Sequence, residues 1–121
     1  MGDIEIGGLP TPIKKAKVYH KDIIETKNPD GTSKIWGFAA VLVPEDGEKR
    51  DGHVILNLTD DKISKYSKPV ATACEGKAHW THVGAASVEV LNVVPQEEEL
   101  NILIRIQGGP IEYRAHVLVY Y

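Results

Sequence analysis

The stretch LNILIRIQGGPIEYRAHVLVY, residues 100–120, decides the fold. Apolar residues occupy every second position on both sides of the triplet Gly108-Gly109-Pro110. Alternation with a period of two indicates a β-strand with one face in a core and the other toward solvent. The glycine–proline triplet is typical of a turn. The stretch therefore predicts a β-hairpin, whose core-facing residues are Leu100, Ile102, Ile104, Ile106, Ile111, Tyr113, Ala115, Val117 and Val119.

Upstream segments have the same character and are separated by turn signals. The turn Asn28-Pro29-Asp30-Gly31 has proline and glycine where a type I turn favours them. Residues 59–68 are the one place where a short helical turn is expected, ended by Pro69. The pattern predicts an all-β protein, an antiparallel β-sandwich of about six to eight strands. Besides the hairpin, the expected strands are 13–26 (a lysine-rich edge strand), 34–43, 53–58, 70–75 and 83–94.

The first twelve residues differ from the rest. Gly7 and Gly8 separate Leu9 from Ile4 and Ile6, and Pro10 and Pro12 follow; prolines fix φ and cannot donate a backbone hydrogen bond. Such a segment predicts an extended N-terminal arm, residues 1–12, on a single sandwich domain, residues 13–121. We expect the three apolar arm residues to pack on a neighbouring copy.

Composition excludes several classes of protein. The 121 residues carry 14 Lys and Arg against 17 Asp and Glu, a net charge of −3, so a nucleic-acid-binding domain is not expected. The single cysteine excludes a disulfide scaffold. No segment reaches the ~20 apolar residues of a membrane helix, and the acidic start is not a signal peptide. These features predict cytoplasmic synthesis without membrane insertion.

Residues 52–121 resemble the H-type lectin domain of invertebrate and slime-mould lectins and some phage fibre tips. The resemblance lies in Tyr66-Ser67-Lys68-Pro69-Val70, in the two late alternating strands, and in the terminal aromatics Tyr120 and Tyr121. The family's usual terminal tryptophan is absent, and no sugar-contacting residue can be carried over. The resemblance implies a six-stranded antiparallel sandwich, a trimer or higher symmetric assembly, and a ligand site near the subunit junctions.

Cys74, His79 and His82 have the spacing Cys-x4-His-x2-His. A thiolate and two imidazoles can bind zinc or copper, and the spacing looks like part of the copper loop of cupredoxins. That family usually has a methionine soon after the histidine, whereas Met1 is the only methionine here. A buried cysteine beside two surface histidines is the favoured interpretation, so no metal or cofactor is predicted. Cys74 also lacks a third group that would complete a catalytic triad, and no catalytic residue is predicted.

Exposed aromatic residues stack on sugars or anchor protein interfaces. Trp80, His79, His82 and Tyr120 are therefore the candidate ligand-binding residues. Leu103 and Leu118, with Tyr120, fall on the otherwise polar side of the last two strands. Apolar residues there predict that a second subunit covers this side.

Together these observations predict a non-enzymatic homo-oligomer, a trimer or higher. Its expected role is a structural or receptor-binding component of a virus or phage particle, such as a fibre, decoration or minor capsid protein. Its partners would be other virion proteins or cell-surface glycans. One alternative is a free-standing oligomeric lectin, and another is a zinc- or copper-binding sandwich that uses Cys74, His79 and His82.

Overall fold

The computed structural model describes the backbone of residues 3–6 and 9–121, and the side chains from Thr11 onward. These residues form strands joined by turns and loops, so the all-β prediction is confirmed. None of them forms an apolar helix of membrane-spanning length. The nine strands in this part of the chain are β1 (Asp3–Ile6), β2 (Leu9–Lys27), β3 (Ser33–Pro44), β4 (Arg50–Thr59), β5 (Lys68–Lys77), β6 (Trp80–Thr81), β7 (Ser87–Gln96), β8 (Glu99–Ile111) and β9 (Tyr113–Tyr120).

The strands lie in one curled sheet, in the order β6-β5-β9-β3-β2-β4-β8-β7, and β1 pairs with the start of β2. The long strand β2 joins the two halves: residues 13–15 run parallel to β4, and residues 16–27 run antiparallel to β3. The predicted all-antiparallel arrangement is therefore wrong at the β2–β4 pair. A 19-residue strand twists along its length, which lets its two ends pair with different neighbours.

The predicted hairpin of residues 100–119 does not form. Strand β8 pairs with β4 and β7, whereas β9 pairs with β3 and β5. Gly108-Gly109-Pro110 thus carries the chain from one half of the curled sheet to the other. The alternation itself is correct, because the apolar set of each strand faces the same core. Period-two alternation identifies an inward face but does not identify the neighbouring strand.

The core lies inside the curl of the sheet. Its largest fully buried side chains include Tyr113 and Phe38, and four residues of β8 are at most 1% exposed. Removing this apolar surface from water is the main stabilising contribution to the fold. The core residues are Ala16, Phe38, Ala40, Leu42, Val54, Leu56, Leu58, Ile63, Leu100, Ile102, Ile104, Ile106, Tyr113, Ala115, Val117 and Val119.

The turn at residues 28–31 is confirmed, with the Gly31 N–H donating to the Asn28 carbonyl at 3.1 Å. The helical turn expected within residues 59–68 is wrong, because the segment makes two separate turns. Side-chain oxygens of Asp60 and Ser64 accept hydrogen bonds from nearby backbone N–H groups. These local bonds compete with helical ones, while the side chain of Ile63 is buried in the core.

Candidate interaction face

Three of the four predicted ligand-binding residues lie together on the β5–β6 hairpin. The rings of Trp80 and His82 meet edge to face with centroids 6.3 Å apart. His79 is in the turn between β5 and β6. The Arg114 guanidinium donates to the Ala78 carbonyl at 3.1 Å and so anchors this hairpin to β9. Tyr120 is remote from the group, because it pairs with the first residue of β5 and Trp80 pairs with the last. Nine residues of strand separate those positions by about 30 Å.

The predicted metal ligands are not gathered into a site. Cys74 pairs with Arg114 inside the β5–β9 ladder, whereas His79 and His82 belong to the hairpin beyond it. In the part of the chain that the structure describes, no three His, Cys, Asp or Glu side chains are placed to hold a metal ion. The geometry gives the metal-binding hypothesis no support.

The predicted interface residues are divided. The side chains of Ile4, Ile6 and Leu9 lie outside the described residues. Leu103 and Leu118 point outward as expected, but from opposite halves of the sheet, because β8 and β9 are not neighbours. A single covering subunit therefore cannot contact both leucines in the way that a hairpin would have allowed.

Leu118 belongs to a continuous apolar surface. It lies in register between Val70 of β5 and Ala39 of β3, and the flanking residues Val117 and Val119 are buried in the core. Val70 is 63% exposed and Tyr120 is 44% exposed. We call the outward side of β2, β3, β9 and β5 the apolar face; its apolar members are Ile24, Trp36, Ala39, Val41, Val70, Leu118 and Tyr120.

Trp36 joins this face through a β-bulge. The register between β2 and β3 steps from Gly37 to Ile35, which leaves Trp36 as the extra residue. Its indole N–H donates to the Thr26 hydroxyl at 3.1 Å, and the Lys34 ammonium lies 3.9 Å above its ring. Thr26 and Lys34 are register partners on the outward side, so Trp36 extends the apolar face there. The sequence predicts a strand over residues 34–43 but does not identify Trp36 as a surface residue, because a bulge redirects its side chain.

Polar groups lie at the edges of the apolar face and along the row of residues that contains His116. Lys68 is on β5, and Asp22 is on β2 at the opposite side. His116 of β9 is half-buried; burial, with the nearby charge of Arg114, lowers its pKa below the usual value. The imidazole is therefore neutral near pH 7. The centre of the face is then both uncharged and apolar.

The other outward side, formed by β4, β8 and β7, is polar and internally bonded. Arg105 forms an ion pair with Glu89, and the Asn57 amide donates to Asn101 at 2.8 Å. Asn101 in turn donates to Gln96 at 2.8 Å. These groups satisfy one another, and the same side also carries the apolar residues Leu103 and Val94, the latter 38% exposed. Hydrogen-bonded polar groups are therefore more numerous on this side than apolar ones.

A cleft of about 390 Å³ lies at one end of the apolar face, next to Glu48 and Tyr113. The Tyr113 hydroxyl donates to Glu48 at 2.8 Å, and Arg50 and Lys14 form ion pairs with the same carboxylate. Burial opposes ionisation of Glu48, but the hydrogen bonds from Arg50 and Tyr113 outweigh it and lower its pKa. The cluster holds β4 against β9 through charge-assisted bonds.

We expect Glu48→Gln to reduce the pH dependence of stability. A carboxyl group whose pKa is lower in the folded state stabilises the fold above its unfolded pKa of about 4.3. That stabilisation is lost as the pH falls through the folded pKa. Urea unfolding at several pH values between about 7 and 3 measures the effect. The variant should be less stable than the wild type near neutral pH and should approach it in acid; an equal difference at every pH would contradict this assignment.

Among the described residues, the apolar face is the candidate interaction site. Comparison of the chain with models of known families, with curated proteins and with solved structures finds no match.

Proposed function

We propose that the protein is a non-catalytic building block that associates with copies of itself through the apolar face. The observation that carries the proposal is the set of outward apolar side chains on four neighbouring strands, of which Trp36, Val70 and Tyr120 are exposed. Large apolar patches on one side of a protein mark interaction sites. On the opposite side of the same curled sheet, the outward positions of β4, β8 and β7 carry hydrogen-bonded polar groups.

The size of the face sets the expected strength of association. Four strands about 4.8 Å apart and roughly seven residues long cover on the order of 450 Å². A standard interface buries about 800 Å² on each partner. We therefore expect a dissociation constant in the micromolar range or weaker. Weak contacts of this kind gain strength when many copies assemble.

We propose a virus or phage particle as the setting, for a fibre, decoration or minor capsid protein. Repeated weak contacts between small β-proteins suit such an assembly. The resemblance to the H-type lectin domain supports the same setting, because that domain occurs in some phage fibre tips. Within the particle, the hairpin around Trp80 would lie outside the contact that the apolar face makes with another copy.

Val70→Glu should abolish self-association. The substitution places a charge within the proposed contact, and an uncompensated buried charge is strongly unfavourable. Val94→Glu is the matched control, since Val94 is an outward valine, 38% exposed, on the edge strand β7 of the polar side. Sedimentation velocity at about 10–500 µM should show association for the wild type and Val94→Glu, but monomers for Val70→Glu. Equal behaviour of the two variants would contradict the proposal.

A second candidate function is glycan binding by the β5–β6 hairpin. The specific observation is Trp80, which is 39% exposed on a hairpin that Arg114 holds in place. An exposed indole offers a flat surface on which a sugar ring can stack. A glycan array probed with the wild type tests this function. The absence of binding across the array would leave self-association as the proposed function alone.

A further inference from the structure

We propose that His116 makes association through the apolar face sensitive to acid, so that copies separate when its imidazole gains a proton. This inference rests on the proposed self-association and concerns its control. His116 is an outward residue of β9, in register with Val41 of β3 on one side and Thr72 of β5 on the other, and two residues from Leu118. A contact through the apolar face therefore covers the imidazole.

A hydrogen bond from Arg114 fixes the protonation state of this ring. Arg114 Nε donates to His116 Nε2 at 3.1 Å. A guanidinium group has only donors, so Nε2 is the acceptor and carries no proton. The guanidinium also donates through Nη1 to the Ala78 carbonyl at 3.1 Å, which holds it beside the ring. A proton on Nε2 would abolish the Arg114 bond and leave two positive groups side by side.

No carboxylate among the described residues lies next to His116 to offset that charge. The nearest outward carboxylate is Asp22 on β2, two strands and about 10 Å away, and it is bonded to His20 Nε2 at 3.1 Å. Lys17, also on β2, adds a further positive charge. On β3 and β5 the outward neighbours are uncharged apart from one thiol; they are Ala39, Val41, Val43, Val70, Thr72 and Cys74.

Protonation and association oppose each other through linkage. Burial, with the charge of Arg114, already lowers the pKa of His116 within one chain. A second copy on the apolar face removes more water from the ring and lowers its pKa further. A group whose pKa falls on association weakens that association once the pH drops below its pKa in the free chain. Each copy contributes one such ring, so the effect is counted twice in a pair of copies.

Sedimentation equilibrium at about pH 7.5 and about pH 4.5 tests this control. The association constant of the wild type should fall at least about tenfold in acid. His116→Gln should associate within about threefold of the wild type at the higher pH and keep that affinity in acid, because a glutamine oxygen can accept the Arg114 bond and does not ionise. His20→Gln is the matched control: protonated His20 pairs with Asp22, so this variant should keep the acid sensitivity of the wild type.

The outcomes separate this inference from the proposed function. If the wild type does not associate at either pH, the proposed function is wrong and this inference falls with it. If the wild type associates equally at both pH values, or if His116→Gln loses affinity in acid as the wild type does, only the control by His116 is overturned. Circular dichroism at both pH values should show that the three proteins remain folded.

A second measurement does not depend on association. In NMR spectra of the wild type at about 10 µM, the His116 ring should carry its proton on Nδ1 at neutral pH. Its titration midpoint should lie below the ordinary histidine pKa of about 6.5. A midpoint at or above that value, or a proton on Nε2 at neutral pH, would show that Arg114 does not hold the ring neutral and would overturn this inference.

Discussion

Replacement of Ile104 with alanine is expected to lower the free energy of unfolding by about 2–5 kcal/mol. Ile104 is completely buried and lies between Val54 of β4 and Val90 of β7 in the central strand of its half of the sheet. Truncation removes buried methyl groups and leaves a cavity that neighbours paired on both sides cannot easily close. Urea unfolding monitored by tryptophan fluorescence measures the loss.

Leu91→Ala provides the control for that experiment. Leu91 is 42% exposed at the bulge between β7 and β8, so its truncation should cost less than about 1 kcal/mol. A loss of similar size in both variants would mean that exposure does not distinguish the two positions. A near-neutral result for Ile104→Ala would show that the inward face of β8 is misassigned.

Gly37→Ala is expected to destabilise the protein by about 3 kcal/mol or more. A Cβ atom at residue 37 would overlap the Val119 carbonyl oxygen and lie 2.9 Å from the carbonyl carbon. Both obstructing atoms are backbone, so the methyl group can be accommodated only if β3 and β9 separate. The backbone bond from the Tyr121 N–H to the Trp36 carbonyl, 2.9 Å long, would be disturbed as well. A fall in the thermal midpoint measures the effect.

Gly31→Ala is the comparison variant. Gly31 has a φ of 88° but nothing within 4 Å of an added Cβ, so its cost is conformational only, about 1 kcal/mol. Gly37→Ala should exceed it clearly. If the two variants are equally stable, the close approach of β3 to β9 is not a constraint on residue 37.

The strands could be predicted from the sequence because local alternation reflects burial. The inward residues of β8 and β9 are those that the alternation of Leu100–Val119 selects. Their pairing could not be predicted in the same way. Gly108-Gly109-Pro110 permits either a hairpin or a crossing between the halves of a sheet, and the choice depends on the strands β3, β4, β5 and β7 that compete for partners. Those contacts join residues distant in sequence.

The apolar face was predictable only in part. Leu118 and Tyr120 stand out in the sequence, since they are apolar residues at outward positions. Val70 and Ile24 become part of the same surface only through the register of β5 with β9 and of β2 with β3. Trp36 reaches the surface through a bulge, which shifts its side chain out of the alternation. A face built from four strands therefore carries little local signal in any one of them.

The most direct test of the account is an NMR dilution series of the wild-type chain, from about 1 mM to about 10 µM. Amide and methyl signals report each strand separately, and no substitution is needed. We predict concentration-dependent shifts for Ile24, Trp36, Val70, Leu118 and Tyr120, with constant signals for the outward residues of β7 and β8. Spectra that do not change over this range, or shifts confined to β7 and β8, would contradict self-association through the apolar face.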